Sequence, residues 1–159
     1  MTTFKVATWN VNSLRVRLPQ LHDWLGTEQP DLLGLQETKV ADVDFPRADI
    51  ENLGYTVTFA GQKSYNGVAI LSRQPATHVL VDIPGFATDE RRVLAASFGT
   101  VRMINLYVPN GSEVGSEKYD FKLRWLAALA AWLKKEIAAH EQVVVVGDFN
   151  IAPDERDVH

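Results

Sequence analysis

Four short apolar runs in this chain end in residues that can hold a cation or handle a proton. Asn10 and Asn12 follow the first. Gln36, Glu37, Thr38 and Lys39 follow the second. Asn105 and Tyr107 close a third, ahead of Val108-Pro109-Asn110-Gly111. Asp148 and Asn150 follow the last, where four consecutive valines open into Gly147. One such ending is commonplace. Four at the same end of strands are not, because open α/β sheets bind ligands outside the carboxyl ends of their strands. The residue types agree with one another. Carboxylate and amide oxygens suit a hard cation, Mg²⁺ or Mn²⁺. With no cysteine and four scattered histidines, a zinc site is not expected. An Asp beside an Asn can take a proton from water while the amide holds that water in line. A phenol and amide N–H groups can donate to a phosphoryl oxygen as charge develops. Together these parts predict metal-assisted hydrolysis of a phosphate ester.

The elements that must position these residues are legible as short runs rich in Val, Ile, Leu and Thr. Strands are predicted at Phe4–Trp9, Asp31–Gln36, Tyr55–Ala60, Gly67–Ser72, His78–Asp82, Arg92–Phe98, Val101–Tyr107 and Gln142–Gly147. Several are apolar throughout, the mark of strands covered on both faces. Phe98-Gly99-Thr100-Val101 reads as a hairpin turn. Leu14, Leu18, Leu21, Trp24 and Leu25 form one helical stripe, with Pro19 expected near its first turn. A short helix is predicted from Phe45 to Leu53, ending at Gly54. The clearest helix runs from Ser116 to His140, with Phe121, Trp125, Leu129, Trp132 and Ile137 at helical spacing. Strands and helices without strict alternation predict an α/β fold, a mixed sheet with helices outside it.

The 159 residues are 46% hydrophobic and 23% charged, as expected of one globular domain. The formal charge of −4 runs against the basic surface usual in a nucleic-acid binder. Carboxylates gathered at a metal site also lower the net charge, so that class stays open. The start of the chain has no basic segment followed by a long apolar region, so no signal peptide is expected. No run reaches the roughly 20 apolar residues of a membrane helix. A soluble, cytoplasmic protein is the expectation.

The motifs Trp9-Asn10-Val11-Asn12-Ser13-Leu14-Arg15, Leu35-Gln36-Glu37-Thr38-Lys39, Gly67-Val68-Ala69-Ile70-Leu71-Ser72, Asn105-Leu106-Tyr107-Val108-Pro109-Asn110-Gly111 and Gly147-Asp148-Phe149-Asn150-Ile151-Ala152-Pro153 resemble, in order and spacing, the exodeoxyribonuclease III branch of the exonuclease/endonuclease/phosphatase superfamily. Glu37 and Gly-Asp-x-Asn fit the superfamily at large. Gln-Glu-Thr-Lys and Asn-Ile-Ala-Pro point to its DNA-repair branch. The resemblance implies an enzyme that removes nucleotides from 3′ ends of duplex DNA and incises the backbone at abasic sites. It places a divalent metal on Glu37 with Asn10 close by, and Tyr107 on the scissile phosphate. Asp148 would be the general base, or orient the attacking water, with Asn150 fixing water and phosphate. Asn12, Lys39, Lys63, Arg91, Arg92 and Lys122 are candidate DNA contacts.

The resemblance covers the front part of the family. Its later part supplies another Asp near the metal and a closing Asp-His pair, and none of His22, His78, His140 or His159 follows an Asp. The 159 residues are therefore expected to form an incomplete single domain, the front half of a four-layer α/β sandwich, with impaired turnover. One apolar sheet face is expected to stand exposed and to drive self-association. Plainer readings accompany each residue. Asp148 and Asn150 suit a turn, Glu37 a helix first turn, Asn10 and Asn12 loop caps, Tyr107 a half-buried core. Two further function classes stay open: a phosphoesterase acting on lipid or inositol phosphates, and a non-catalytic fragment that binds metal or DNA.

Overall fold

A computed structural model describes residues 4–157, so His159 and the first three residues lie outside it. The chain folds in the order β1 (Val6–Asn10), α1 (Leu14–Glu28), β2 (Leu32–Gln36), α2 (Arg47–Glu51), β3 (Thr56–Ala60), β4 (Val68–Ser72), β5 (Thr77–Val81), β6 (Val93–Phe98), β7 (Val101–Tyr107), α3 (Glu117–Ala139) and β8 (Gln142–Asp148). Single 3-10 turns lie at Asp42–Asp44 and Glu155–Asp157. All eight predicted strands are present, with shifted ends. The expected α/β fold, mixed sheet with helices outside it, is present. There are two mixed four-stranded sheets, ordered β1-β2-β4-β3 and β5-β6-β7-β8.

Side-chain alternation along the strands explains the grouping. Val6, Leu32, Val68 and Ile70 of the first sheet point inward, and so do Leu94, Ala96, Met103, Val144 and Val146 of the second. The two inner faces pack on each other. The outer face of the first sheet (Leu33, Leu35, Ala69, Leu71) meets α1 and α2 through Leu14, Leu21, Leu25 and Ile50. The outer face of the second (Val93, Ala95, Ile104, Leu106) meets Trp125, Leu129 and Trp132 of α3. All four layers of an α/β/β/α sandwich are thus built within these residues. An exposed sheet face, expected from the sequence, is not found among the described residues. Each face has its cover, and what stands open is lateral: β1 and β8 lie side by side as edge strands, and the valines of β8 are half-buried.

Three local details bear on the site. Ser13 gives α1 no side-chain cap; instead its backbone N–H donates to Glu37 O at 2.8 Å, and Leu14 N–H to Thr38 O at 3.0 Å. The start of α1 is thereby fastened to the turn carrying Glu37. Pro19 sits inside α1 rather than in its first turn, on the solvent side, where a missing N–H is solvated at little cost. In α3, Ser116 accepts from Tyr119 N–H at 3.2 Å, satisfying one of the donors every helix start leaves free. No helix among the described residues is long and apolar enough to cross a membrane.

Candidate active site

Two parallel pairings bring the strand ends together. β1 runs parallel to β2, so Asn10 lies opposite Gln36. β7 runs parallel to β8, so Tyr107 lies opposite Asp148. With the sheets face to face, the residues after both pairs converge on one rim of the inter-sheet layer.

The Asn10 amide is the joint. Its Nδ2 donates to Glu37 Oε1 at 2.7 Å and to Asp148 Oδ2 at 2.7 Å, linking carboxylates from opposite sheets. Its Oδ1 accepts from the Asn12 N–H at 3.0 Å, which fixes which way the amide faces. Glu37 is partly buried, and burial pushes its carboxyl up. Polar contacts from Asn10, Lys39 and Tyr107, together with the Lys39 charge, outweigh that and hold it below the usual carboxylate range. The Lys39 ammonium lies 3.0 Å from Glu37 Oε2 and also donates to Asn12 Oδ1. Tyr107 is pushed up to about 12, first by burial and then by the neighbouring Glu37 charge, against the pull of Arg92. The phenol therefore stays a hydrogen-bond donor at neutral pH. Arg92 lies 4.6 Å over its ring.

Asp148 and Asn150 form a tight turn in which the Asn150 N–H donates to Asp148 Oδ1 at 3.0 Å. Asn150 Nδ2 donates to Val108 O at 2.9 Å, which fixes the orientation of the amide. Gly147 makes the turn possible. Its φ is +150°, and a Cβ there would sit 2.0 Å from Leu106 O. Several rim residues are held in the left-handed region, Asn12, Glu37, Lys39 and Asn150 among them. Side chains other than glycine rarely adopt it, and such strain clusters where geometry serves a site.

The remaining candidates are spread around this rim. Lys122 donates to Asn150 O at 2.6 Å, so α3 steadies the turn that bears Asn150. Arg91 is paired with Asp82, and Arg92 with Glu90. Lys63 is exposed on the loop before β4. A cavity of about 750 Å³ opens beside the cluster, lined by Tyr65, Asn66, Arg92, Tyr107, Asn110 and Phe121. Sequence reasoning passed over Tyr65, whose side chain is exposed at the cavity mouth. A lone aromatic in a polar loop was the available signal. Gln36 was named with the strand-end residues, but its burial could not be read from the sequence.

A profile described as the Endonuclease/Exonuclease/phosphatase family matches residues 7–159. The chain belongs to this family. Among members of the Endonuclease/Exonuclease/phosphatase family, it is 38% identical over 163 residues to the exodeoxyribonuclease III of Haemophilus influenzae, covering 97% of this chain and 60% of that protein. It is 34% identical to the DNA repair nuclease APEX1 of Danio rerio, with 97% and 51% covered. Among solved structures, the 3′ phosphatase NExo from Neisseria bound to a product DNA hairpin superposes with a TM-score of 0.94 at 43% identity, covering 96% of this chain and 60% of that one. An AP endonuclease from Archaeoglobus fulgidus gives 0.93 at 42%, with 99% and 61% covered. The chain thus spans about 60% or less of the length of these relatives.

Among the described residues, no group of three or more His, Cys, Asp or Glu gathers as a ready-made metal cage. The rim offers two carboxylates joined through an amide. That donor set fits Mg²⁺, which keeps several waters and is commonly held by one or two carboxylates rather than an all-protein cage.

Proposed function

We propose that this chain carries the catalytic rim of a metal-dependent DNA-repair nuclease, one that hydrolyses phosphodiester bonds at 3′ ends and abasic sites of duplex DNA. The observation that carries this reading is the Asn10 amide, which joins Glu37 of one sheet to Asp148 of the other beside Tyr107. The names of the relatives support DNA as the substrate. Glu37, with Asn10 beside it, would hold Mg²⁺, with Mn²⁺ as a substitute. When bound, the metal supplies charge neutralisation on the phosphate and the leaving oxygen.

The chain's own groups do the rest. Asp148 accepts the proton of an attacking water whose other hydrogen faces Asn150 Oδ1. The Tyr107 phenol, kept protonated, donates to a phosphoryl oxygen as negative charge gathers there. Lys39, released from Glu37, and exposed Lys63 and Asn12 meet the DNA backbone, an attraction that weakens with salt. Arg91, Arg92 and Lys122 hold loops around the rim and contact phosphate at most secondarily. The cavity beside Tyr107 has room for a nucleotide flanking the scissile bond. Copies of the chain would associate along the β1 and β8 edges, which have no further strand beside them among the described residues.

The test is cleavage of a duplex bearing one abasic site, with Mg²⁺ and with EDTA. Metal-dependent incision lost in Asp148→Asn, with DNA binding retained, supports the reading; equal cleavage by that variant overturns the role of Asp148. A parallel panel of a 3′-phosphorylated duplex and an inositol phosphate tests the alternative phosphoesterase reading. Light scattering tests association.

A further inference from the structure

The rim rests on a polar tier buried directly beneath it. Asn105 is 0% exposed and Gln36 1% exposed, inside the otherwise apolar layer between the sheets. Asn105 lies two residues before Tyr107 on β7, and so faces the same way. Gln36 directly precedes Glu37. The Asn105 Nδ2 crosses from the second sheet to the first, where it donates to Leu35 O and Ala69 O, each at 2.9 Å. Its Oδ1 accepts from Gln36 Nε2 at 2.6 Å, and Gln36 Nε2 also donates to Thr8 Oγ1 at 2.9 Å. Thr8 lies two residues before Asn10 on β1. The three side chains so joined, Thr8, Gln36 and Asn105, are therefore each one or two residues below a member of the rim.

Buried amides cost free energy unless fully bonded, and a hydrophobic pair would fill the same space without that demand. Apolar packing alone tolerates small sliding of one sheet on the other. Directional bonds do not, because a hydrogen bond weakens steeply as its angle and length depart from ideal. We propose that Asn105 and Gln36 are positioning residues that set the register between the two sheets, and thereby hold Glu37 and Asp148 at the separation the Asn10 amide spans. Building on the nuclease reading, this assigns the catalytic geometry to a tier that touches neither metal nor DNA.

The experiment reads the Asn10 side-chain amide by NMR in the ¹⁵N-labelled 159-residue chain, with the resonance identified by its loss in Asn10→Ala. The variants are Asn105→Leu and Gln36→Met, close in size and without the crossing bonds, and Met103→Leu is the control in the same layer. Urea unfolding establishes that each is folded. In the positioning variants the Asn10 amide protons shift and exchange about tenfold faster, the factor expected for weakening a hydrogen bond to a charged group; in Met103→Leu they do not. Unchanged Asn10 resonances in folded Asn105→Leu and Gln36→Met overturn the proposal. Failure of both variants to fold overturns it too, because the pair would then hold the whole fold rather than the rim. The amide readout does not depend on turnover. A responsive Asn10 in a chain that cleaves no DNA would sustain the positioning role and count against the nuclease reading alone.

Discussion

Replacing Gly34 with alanine adds one methyl group at the middle of β2, under the amide of Asn105. A Cβ there lies 2.9 Å from Asn105 Oδ1 and 2.9 Å from Val146 Cγ2, closer than real Cβ contacts come. Val146 belongs to an edge strand and can shift. Asn105 cannot retreat without loosening its bonds to Leu35 O, Ala69 O and Gln36. Overpacking of this kind costs roughly 2–3 kcal/mol. Alanine recovers about 0.5 kcal/mol by restricting the unfolded chain. The net loss is therefore about 2 kcal/mol, which for this length lowers Tm by roughly 4–8 °C. Gly26 supplies the control. It lies in α1 with nothing within 4 Å of its would-be Cβ, so the same substitution should raise stability by roughly 0.5–1 kcal/mol. The assay is urea and thermal unfolding followed by circular dichroism, with slopes compared to exclude a changed unfolded state. A Gly34→Ala chain as stable as the parent would refute the reasoning, because Asn105 could then not be held tightly where it is.

Tyr107 gives a prediction in alkali. Its phenol is pushed up to about 12 in the folded chain, so below the ordinary value near 10 both states are protonated and its contribution is fully present. Between those values the unfolded chain loses the proton first, and stability falls as pH rises. Tyr107→Phe should flatten that fall in urea midpoints taken across the window; an unchanged slope would assign it elsewhere. The ion pair of Arg102 and Glu136, 2.7 Å apart and almost closed to solvent, predicts that Glu136→Gln costs about 3 kcal/mol by stranding a buried guanidinium. The double replacement Arg102→Met with Glu136→Leu should recover most of this, and a double variant less stable than Glu136→Gln would contradict it. EDTA should abolish incision by any active form, and added Mg²⁺ should restore it, as gel assays will read.

Much of the fold is legible in the chain because strand identity is local. The runs around Leu33 and Leu94 are apolar throughout, and both prove to be covered on two faces. Pairing is not local. β2 bonds to β4 antiparallel while β3 lies outside them, and no residue pattern along β2 announces that partner. This is why a bare sheet face was expected where the second sheet in fact covers the first. At the rim, Asn10, Glu37, Tyr107 and Asp148 were legible from type and position at strand ends, and the structure brings them together. The charged candidates were harder, since a run of cations says nothing about what lies opposite. Arg92 turns back onto Glu90, two residues before it, and Arg91 reaches Asp82 across the turn between β5 and β6, so neither guanidinium points freely to solvent. Asn105 was noticed at its strand end, but its crossing to Leu35 O depends on how the sheets stack, and stacking has no sequence signature.

The division of labour between the sheets has a consequence for how the chain could be cut and mended. Everything from Val6 to Ser72 builds one sheet with its helices, and everything from Thr77 to Asp148 builds the other. The first segment carries Asn10 and Glu37, and the second Tyr107, Asp148 and Asn150. A nick in the exposed link at residues 73–75 severs no strand pairing. The fold is thus a natural candidate for fragment complementation: neither piece holds both carboxylates, and their noncovalent reunion would recreate the rim. The site is thus a property of the two sheets held together, and neither segment alone contains the groups to form it.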